Sequence, residues 1–177
     1  MGGNLASWAG KPEETLAAAA LRLESLGRMT RRSSLYSTAP VGFAAQPRFV
    51  NAVVELETQL EPRELLEGLL AIEKEFGRDR AAGVVNGPRT LDLDILLLGD
   101  LEIHEPGLET PHPRLAVRAF VLVPLCEIAA EIVVPGYTKT VKYLLDSQVS
   151  KSRPGAPNPQ NASDAVARIE SAAWLPR

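Results

Sequence analysis

The sequence predicts an α+β fold, with helices packed on an antiparallel sheet. Two amphipathic helical stretches each open on a proline with acidic neighbours. Two adjacent runs of β-tolerant residues lie between them, and an alternating apolar run follows the second helix. The predicted order is therefore α-β-β-α-β, one strand short of the β-α-β-β-α-β ferredoxin-like unit.

Lys11-Pro12-Glu13-Glu14 reads as a helix start, with proline in the first turn and acids at the positive end of the dipole. Leu16, Ala20 and Leu23 follow at helical spacing, and Gly27 is the expected stop. Thr30 to Thr38 reads as a strand ending at Ala39-Pro40-Val41-Gly42. Phe49 to Thr58 alternates, with Val50, Ala52, Val54 and Leu56 on one face and Phe49, Asn51, Val53 and Glu55 on the other. Glu61-Pro62 opens a second helix whose Leu65, Leu69, Ile72 and Phe76 form an apolar stripe up to Gly77. Thr90 to Leu98 is the third strand, and Gly99-Asp100 turns it toward a short partner at 101–103. A proline-rich loop from Pro106 to Pro113 leads to a third helical segment, Ala116 to Ala129, bent by Pro124. A last small helix is expected from Thr140 to Asp146. Residues 1–149 form the expected working domain, and 150–177 reads as a disordered tail on composition, with at most a short terminal helix from Ala165 to Trp174. In the ferredoxin-like order the first strand lies inside the sheet. Met1-Gly2-Gly3-Asn4 stands where a β-to-α loop should begin, so a strand is expected to be missing from the front.

Composition narrows the function classes. The 177 residues carry 19 Lys+Arg against 22 Asp+Glu, a formal charge of -3, which argues against coating nucleic acid. The single Cys126 excludes an internal disulfide framework and fits a reducing compartment. The longest apolar stretch, Ala119 to Ala130, is cut by Pro124 and Glu127, so no membrane span is expected. A cytoplasmic monomer is the expectation. Of the 19 cations 14 are Arg, and every one from Arg78 to Arg118 is Arg, a side chain whose planar fork suits phosphate. A GC-rich gene produces the same enrichment, so the count decides nothing alone.

The sharpest local feature is Gly87-Pro88-Arg89-Thr90-Leu91-Asp92-Leu93-Asp94. On a strand, Asp92 and Asp94 project to one face, roughly 6–7 Å apart, while Leu91, Leu93, Ile95 and Leu97 turn to the core. Such carboxylates can bridge hard divalent cations that also take substrate phosphates; the alternative is a solvated polar face. Arg89 on the preceding loop can reach the same phosphates. Arg78 and Arg80 flank the end of the second helix, where Arg78 could equally complement the helix dipole. His112, between two prolines, is weak evidence for zinc without a second histidine. Phe49 beside Asn51 could hold a flat heterocycle or simply pack at an edge, and Phe120 reads as core.

Six segments together carry a resemblance: S-L-Y-S-T-A-P-V-G (34–42), Q-P-R-F-V-N-A-V (46–53), I-E-K-E-F-G-R (72–78), G-P-R-T-L-D-L-D-I-L-L (87–97), P-H-P-R (111–114) and R-A-F-V-L-V-P-L-C-E-I-A (118–129). In order and spacing the chain resembles the 6-hydroxymethyl-7,8-dihydropterin pyrophosphokinase family of folate biosynthesis, from about Gly2 to Leu145. The resemblance implies a ferredoxin-like α/β sandwich that moves a pyrophosphoryl group from ATP to the pterin hydroxymethyl oxygen and releases AMP. It implies that Asp92 and Asp94 hold two Mg²⁺ ions and that Arg78 and Arg89 act on the phosphates. Glu73, Arg80, Ile95, His112 and Arg118 fall on the ATP side by the same resemblance. Phe49 and Phe120 would sandwich the pterin, with Asn51 and Thr38 at its polar edge and Val41 lining the pocket.

The chain departs from that family in three places. Family members begin with a V-x-I-x-L strand before G-S-N-L, so a further ~6–8 residues, about one strand's length, are expected upstream. Asn86 stands where some members carry an aromatic, and Pro113 follows His112 in place of a frequent aromatic or arginine. Two rival readings remain: a two-metal nucleotidyltransferase, and a ferredoxin-like binding module without turnover.

Overall fold

Each long helix is closed at its N-terminus by its own glutamate. The structure, a computed structural model, describes residues 1–40, 45–80, 86–151 and 166–174. Helix α1 spans Pro12–Leu23 and α2 spans Pro62–Glu75. The backbone N–H of Lys11 donates to Glu14 Oε2 at 2.7 Å, and that of Glu61 to Glu64 Oε2 at 3.0 Å, each satisfying a donor that the helix cannot. Helix α1 ends four residues before Gly27. The predicted stripe of α2 is fully buried: Leu65, Leu69, Ile72 and Phe76 pack with Leu16, Ala20 and Leu23 of α1.

The two predicted strands at 30–38 and 49–58 each break in two at facing positions. Strands β2 (Arg28–Arg32) and β3 (Leu35–Thr38) part at Ser33-Ser34; β4 (Phe49–Asn51) and β5 (Val54–Glu57) part at Ala52-Val53. Ser33 and Val53 bind one another at the bend: the Ser33 N–H donates to Val53 O at 2.9 Å, and the Val53 N–H to Ser33 Oγ at 3.0 Å. Strand β2 pairs with β5, and β3 with β4, all antiparallel. The alternation holds through the break. Val50, Ala52, Val54 and Leu56 face the helical core, while Val53 joins a second cluster with Leu115, Leu122, Leu125, Val134, Val141 and Leu144.

Three expectations about strands are corrected. Gly2–Gly3 is no loop: it forms β1, with Gly2 opposite Asn51 and Gly3 opposite Val50. Thr90 to Leu98 is not a strand, because Asp92 alone forms a β-bridge, exchanging hydrogen bonds with Gly2 at 2.9 and 2.7 Å. Of the two residues of β1, only Gly2 bridges this segment. The 101–103 segment does not pair back on it either. Leu101 closes a turn onto Leu98, and β6 (Ile103–Glu105) pairs with β7 (Leu108–Thr110), the latter inside the Pro106–Pro113 stretch read as a loop.

The C-terminal half follows the apolar pattern more closely. A short 3₁₀ turn at Leu115–Val117 precedes α3 (Ala119–Ala129), which carries Pro124 inside it. A two-residue hairpin, β8 (Val133–Val134) with β9 (Lys139–Thr140), leads into α4 (Val141–Lys151), longer than the predicted 140–146. The expectation of disorder fails for Val166–Trp174, as does that of a terminal helix. Strand β10 (Val166–Ile169) pairs antiparallel with all of β3, and Trp174 is 3% exposed. The main sheet therefore runs β1-β4-β3-β10.

Candidate active site

The predicted aspartates lie where the extended 90–98 segment crosses the open end of the sheet. Asp92 is 19% exposed and held between two guanidiniums: Arg78 Nη2 stands 3.3 Å from Oδ1 and Arg89 Nη2 3.0 Å from Oδ2. Arg89 also donates to Gly87 O at 3.0 Å and lies 4.8 Å over the ring of Phe49. One arginine thus joins the acid to the aromatic face.

Asp94 is exposed and opens on a cleft of about 570 Å³ that it shares with Arg80, Ile95 and His112. Behind that cleft Glu73 is 1% exposed. It accepts the Leu93 N–H at 2.7 Å and two bonds from Arg80 at 2.8 Å. Burial pushes the Glu73 carboxyl above its usual range, against the pull of Leu93 and Arg80. Glu73 thereby fixes the backbone between the two aspartates. Burial also weakens the hold of Arg78 and Arg118 on their protons. Their charges are poorly solvated, a condition that an incoming polyanion relieves.

His112 accepts the Arg114 N–H at Nδ1 (3.0 Å), which leaves the proton on Nε2. Its own N–H donates to Leu96 O at 2.9 Å. Burial lowers its pKa from the ordinary 6.5, with Arg118 and Arg114 adding to the effect and Asp94 opposing it. The imidazole is therefore a neutral N–H donor at pH 7. In an NMR titration its midpoint is expected below 6.5. Because the folded value is the lower one, this residue destabilises the fold only as pH falls through its unfolded pKa. A midpoint at or above 6.5 contradicts the neutral assignment.

On the sheet side, Asn51 and Thr38 are both buried, and Asn51 Nδ2 donates to Thr38 Oγ1 at 2.7 Å. Phe120 is not core. It stands half-buried in the first turn of α3, with the Arg118 guanidinium 5.4 Å from its ring centre. Among the described residues Phe49 and Phe120 do not stack on each other. Val41 lies outside the described residues.

Asn4 is the residue that the motifs did not reveal. It is 4% exposed, takes the Arg89 N–H on Oδ1 at 2.8 Å, and gives Nδ2 to Gln46 Oε1 and Pro47 O at 3.0 Å each. It therefore links the arginine loop to the segment entering β4. Its neighbour Gly3 must be glycine, since a Cβ there would stand 2.2 Å from Thr90 O. All three of its partners lie more than 40 residues away, so no neighbour in the sequence reveals its role.

The donor set suits a hard cation. Asp92 and Asp94 offer carboxylate oxygens, and among the described residues no cluster of three or more His, Cys, Asp or Glu exists. Magnesium binds in that way, through one or two carboxylates with water and phosphate completing the shell. A carboxylate held between two guanidiniums, with an aromatic face alongside, is the arrangement expected of one class of protein, the nucleotide-dependent phosphotransferases.

Comparison with known proteins makes the class specific. A family model described as 7,8-dihydro-6-hydroxymethylpterin-pyrophosphokinase (HPPK) matches residues 1–130. The chain is 46% identical over 137 residues to the 2-amino-4-hydroxy-6-hydroxymethyldihydropteridine pyrophosphokinase of Pseudomonas aeruginosa, covering 76% of this chain and 81% of that one. It is 42% identical over 148 residues to the protein of the same name from Haemophilus influenzae, covering 81% and 91%. A mitochondrial folate synthesis bifunctional protein of Arabidopsis thaliana matches at 48% over 116 residues, 64% of this chain and 21% of that much longer one. The chain belongs to the HPPK family.

Proposed function

We propose that the protein transfers the terminal pyrophosphoryl group of ATP to the hydroxymethyl oxygen of 6-hydroxymethyl-7,8-dihydropterin, releasing AMP, in folate biosynthesis. The observation that carries the reading is Arg89, which holds Asp92 with one face of its reach and covers Phe49 with the other. Phosphate chemistry and a flat platform are thereby set side by side.

In the transfer, the acceptor oxygen forms a bond to the β-phosphorus as the bond from that phosphorus to the α-phosphate oxygen breaks, AMP leaves with that oxygen, and the hydroxyl proton passes to solvent. No covalent enzyme intermediate is needed, so the work is positioning and charge neutralisation. Arg78 and Arg89 leave the Asp92 carboxylate for the phosphates, and Arg80, His112 and Arg118 bind the nucleotide as neutral or cationic donors. Ile95 lines the nucleotide cleft, and Glu73 holds Arg80 and the Leu93 backbone in place. Asp92 and Asp94 would hold two Mg²⁺ ions, which, when bound, neutralise the triphosphate. Phe49 and Phe120 bracket the pterin ring, while Asn51, Thr38 and Val41 read its polar edge and pocket wall. The catalytic unit is residues 1–149, built on a ferredoxin-like plan and working as a cytoplasmic monomer. Among the described residues no helix is long and apolar enough to cross a membrane.

Incubation with ATP, Mg²⁺ and hydroxymethyldihydropterin is expected to yield AMP and pterin pyrophosphate one for one. Release of inorganic pyrophosphate would instead indicate a nucleotidyltransferase, and release of ADP a simple kinase. No turnover at all would leave a binding module.

A further inference from the structure

We infer that the C-terminal segment Val166–Trp174 is a positioning clasp for the acceptor side of the site, with Trp174 as its anchor. The inference rests on the proposed roles of Thr38, Asn51 and Phe120.

Strand β10 covers the whole of β3, setting Ile169 opposite Leu35 and Val166 opposite Thr38. Thr38 is also paired across its other edge with Phe49, and its hydroxyl takes the Asn51 amide. The backbone that carries the proposed acceptor contacts is thus held from both sides, and β10 is one of the two. Helix α3, which begins next to Phe120, packs against both β3 and β10. One short segment therefore touches β3, which carries Thr38, and α3, which carries Phe120.

A four-residue strand on a sheet edge frays unless something fastens its end. Trp174 is that fastening. Its indole is 3% exposed and packs in the helical core, and Nε1 donates to Ser33 O at 2.8 Å across 141 residues of chain. The Arg32 guanidinium lies 4.9 Å over the ring, and a tight turn pairs Ser171 with Trp174. A buried tryptophan with its N–H satisfied supplies both apolar burial and orientation. Its acceptor, Ser33, stands at the bend that also engages Val53. Releasing the clasp would turn β3 into the sheet edge, with Thr38 supported on one side only.

The test uses full-length Trp174→Ala, Trp174→Phe and Ile169→Ala, assayed with each substrate varied in turn. In Trp174→Ala the KM for hydroxymethyldihydropterin is expected to rise about tenfold, equivalent to about 1.4 kcal/mol, with the KM for ATP unchanged within about twofold. Trp174→Phe keeps an aromatic ring in the core but loses the N–H bond and part of the buried area, so a rise of about threefold is expected, on the scale of one such bond. Unchanged pterin KM values, or equal rises for both substrates, overturn the clasp. Should Trp174→Ala fail to fold, the same split is read from Trp174→Phe and Ile169→Ala. An inactive wild type overturns the pterin reading and the clasp with it, whereas an active wild type with unsplit variants overturns the clasp alone.

Discussion

Asp92→Asn is expected to lower AMP formation by about a thousandfold, the scale on which loss of one preorganised charge-stabilising group acts. Asparagine fills the same space but can accept from only one of Arg78 and Arg89, which stand 3.3 and 3.0 Å from different carboxylate oxygens, and its NH2 then faces the other. It removes the negative charge that holds those guanidiniums and that would hold a cation. Two half-buried arginines then repel each other without a counter-charge, so a modest loss of stability, about 1–2 kcal/mol, is also expected. The enzyme assay and a denaturant titration separate the two effects. Retention of more than a tenth of wild-type turnover would show that Asp92 is not part of the chemistry.

The largest stability effect is expected at Glu73, and it divides two substitutions of similar size. Glu73→Ala leaves the Leu93 N–H buried without its 2.7 Å acceptor and frees Arg80, at a cost of about 3 kcal/mol. Glu73→Gln keeps an acceptor for Leu93 and removes a carboxylate whose burial already disfavours its charge, so its cost is expected within about 1 kcal/mol. The pH dependence follows with a definite sign. A carboxyl whose folded pKa lies above its unfolded value stabilises fully below the unfolded value and loses that contribution as pH rises through the folded one. That part of the profile should vanish in Glu73→Gln. Thermal unfolding across pH 4 to 8 checks both points, and equal destabilisation by Ala and Gln would disprove the account of Leu93.

The sequence exposed what is local. Helix starts at Pro12 and Pro62, the α2 stripe and the two faces of Phe49 to Glu57 follow from periodicity and capping chemistry within a few residues. The aspartate pair and the arginines around it were legible because charges rarely stand where an extended apolar segment should be. What escaped depends on distant partners. Thr90 to Leu98 has every mark of a strand, yet pairing belongs to two segments, and β1 bridges only one of its residues. The breaks at Ser33 and Val53 are invisible until the two bends meet. Val166 to Trp174 was hidden by its surroundings, since a polar, proline-rich approach masks a segment whose apolar residues, Ile169 and Trp174, find their core far upstream. Asn4 escaped for the same reason, its partners being Arg89 and Gln46.

The bend at Val53 has a consequence for how the molecule opens. There Val53, on the face opposite Ala52 and Val54, joins a second apolar cluster, distinct from the one beneath α1 and α2. Asp92 and Glu73 ride on the first cluster through Leu91, Leu93 and Ile72, while His112, Arg118 and Phe120 flank Leu115 and Leu122 of the second. The proposed substrate contacts thus stand on both sides of the seam between two apolar clusters, and separate clusters are the natural units of local opening. Substrates that bridge the seam join the units, so occupancy should slow amide exchange on both banks at once, in places that no ligand touches.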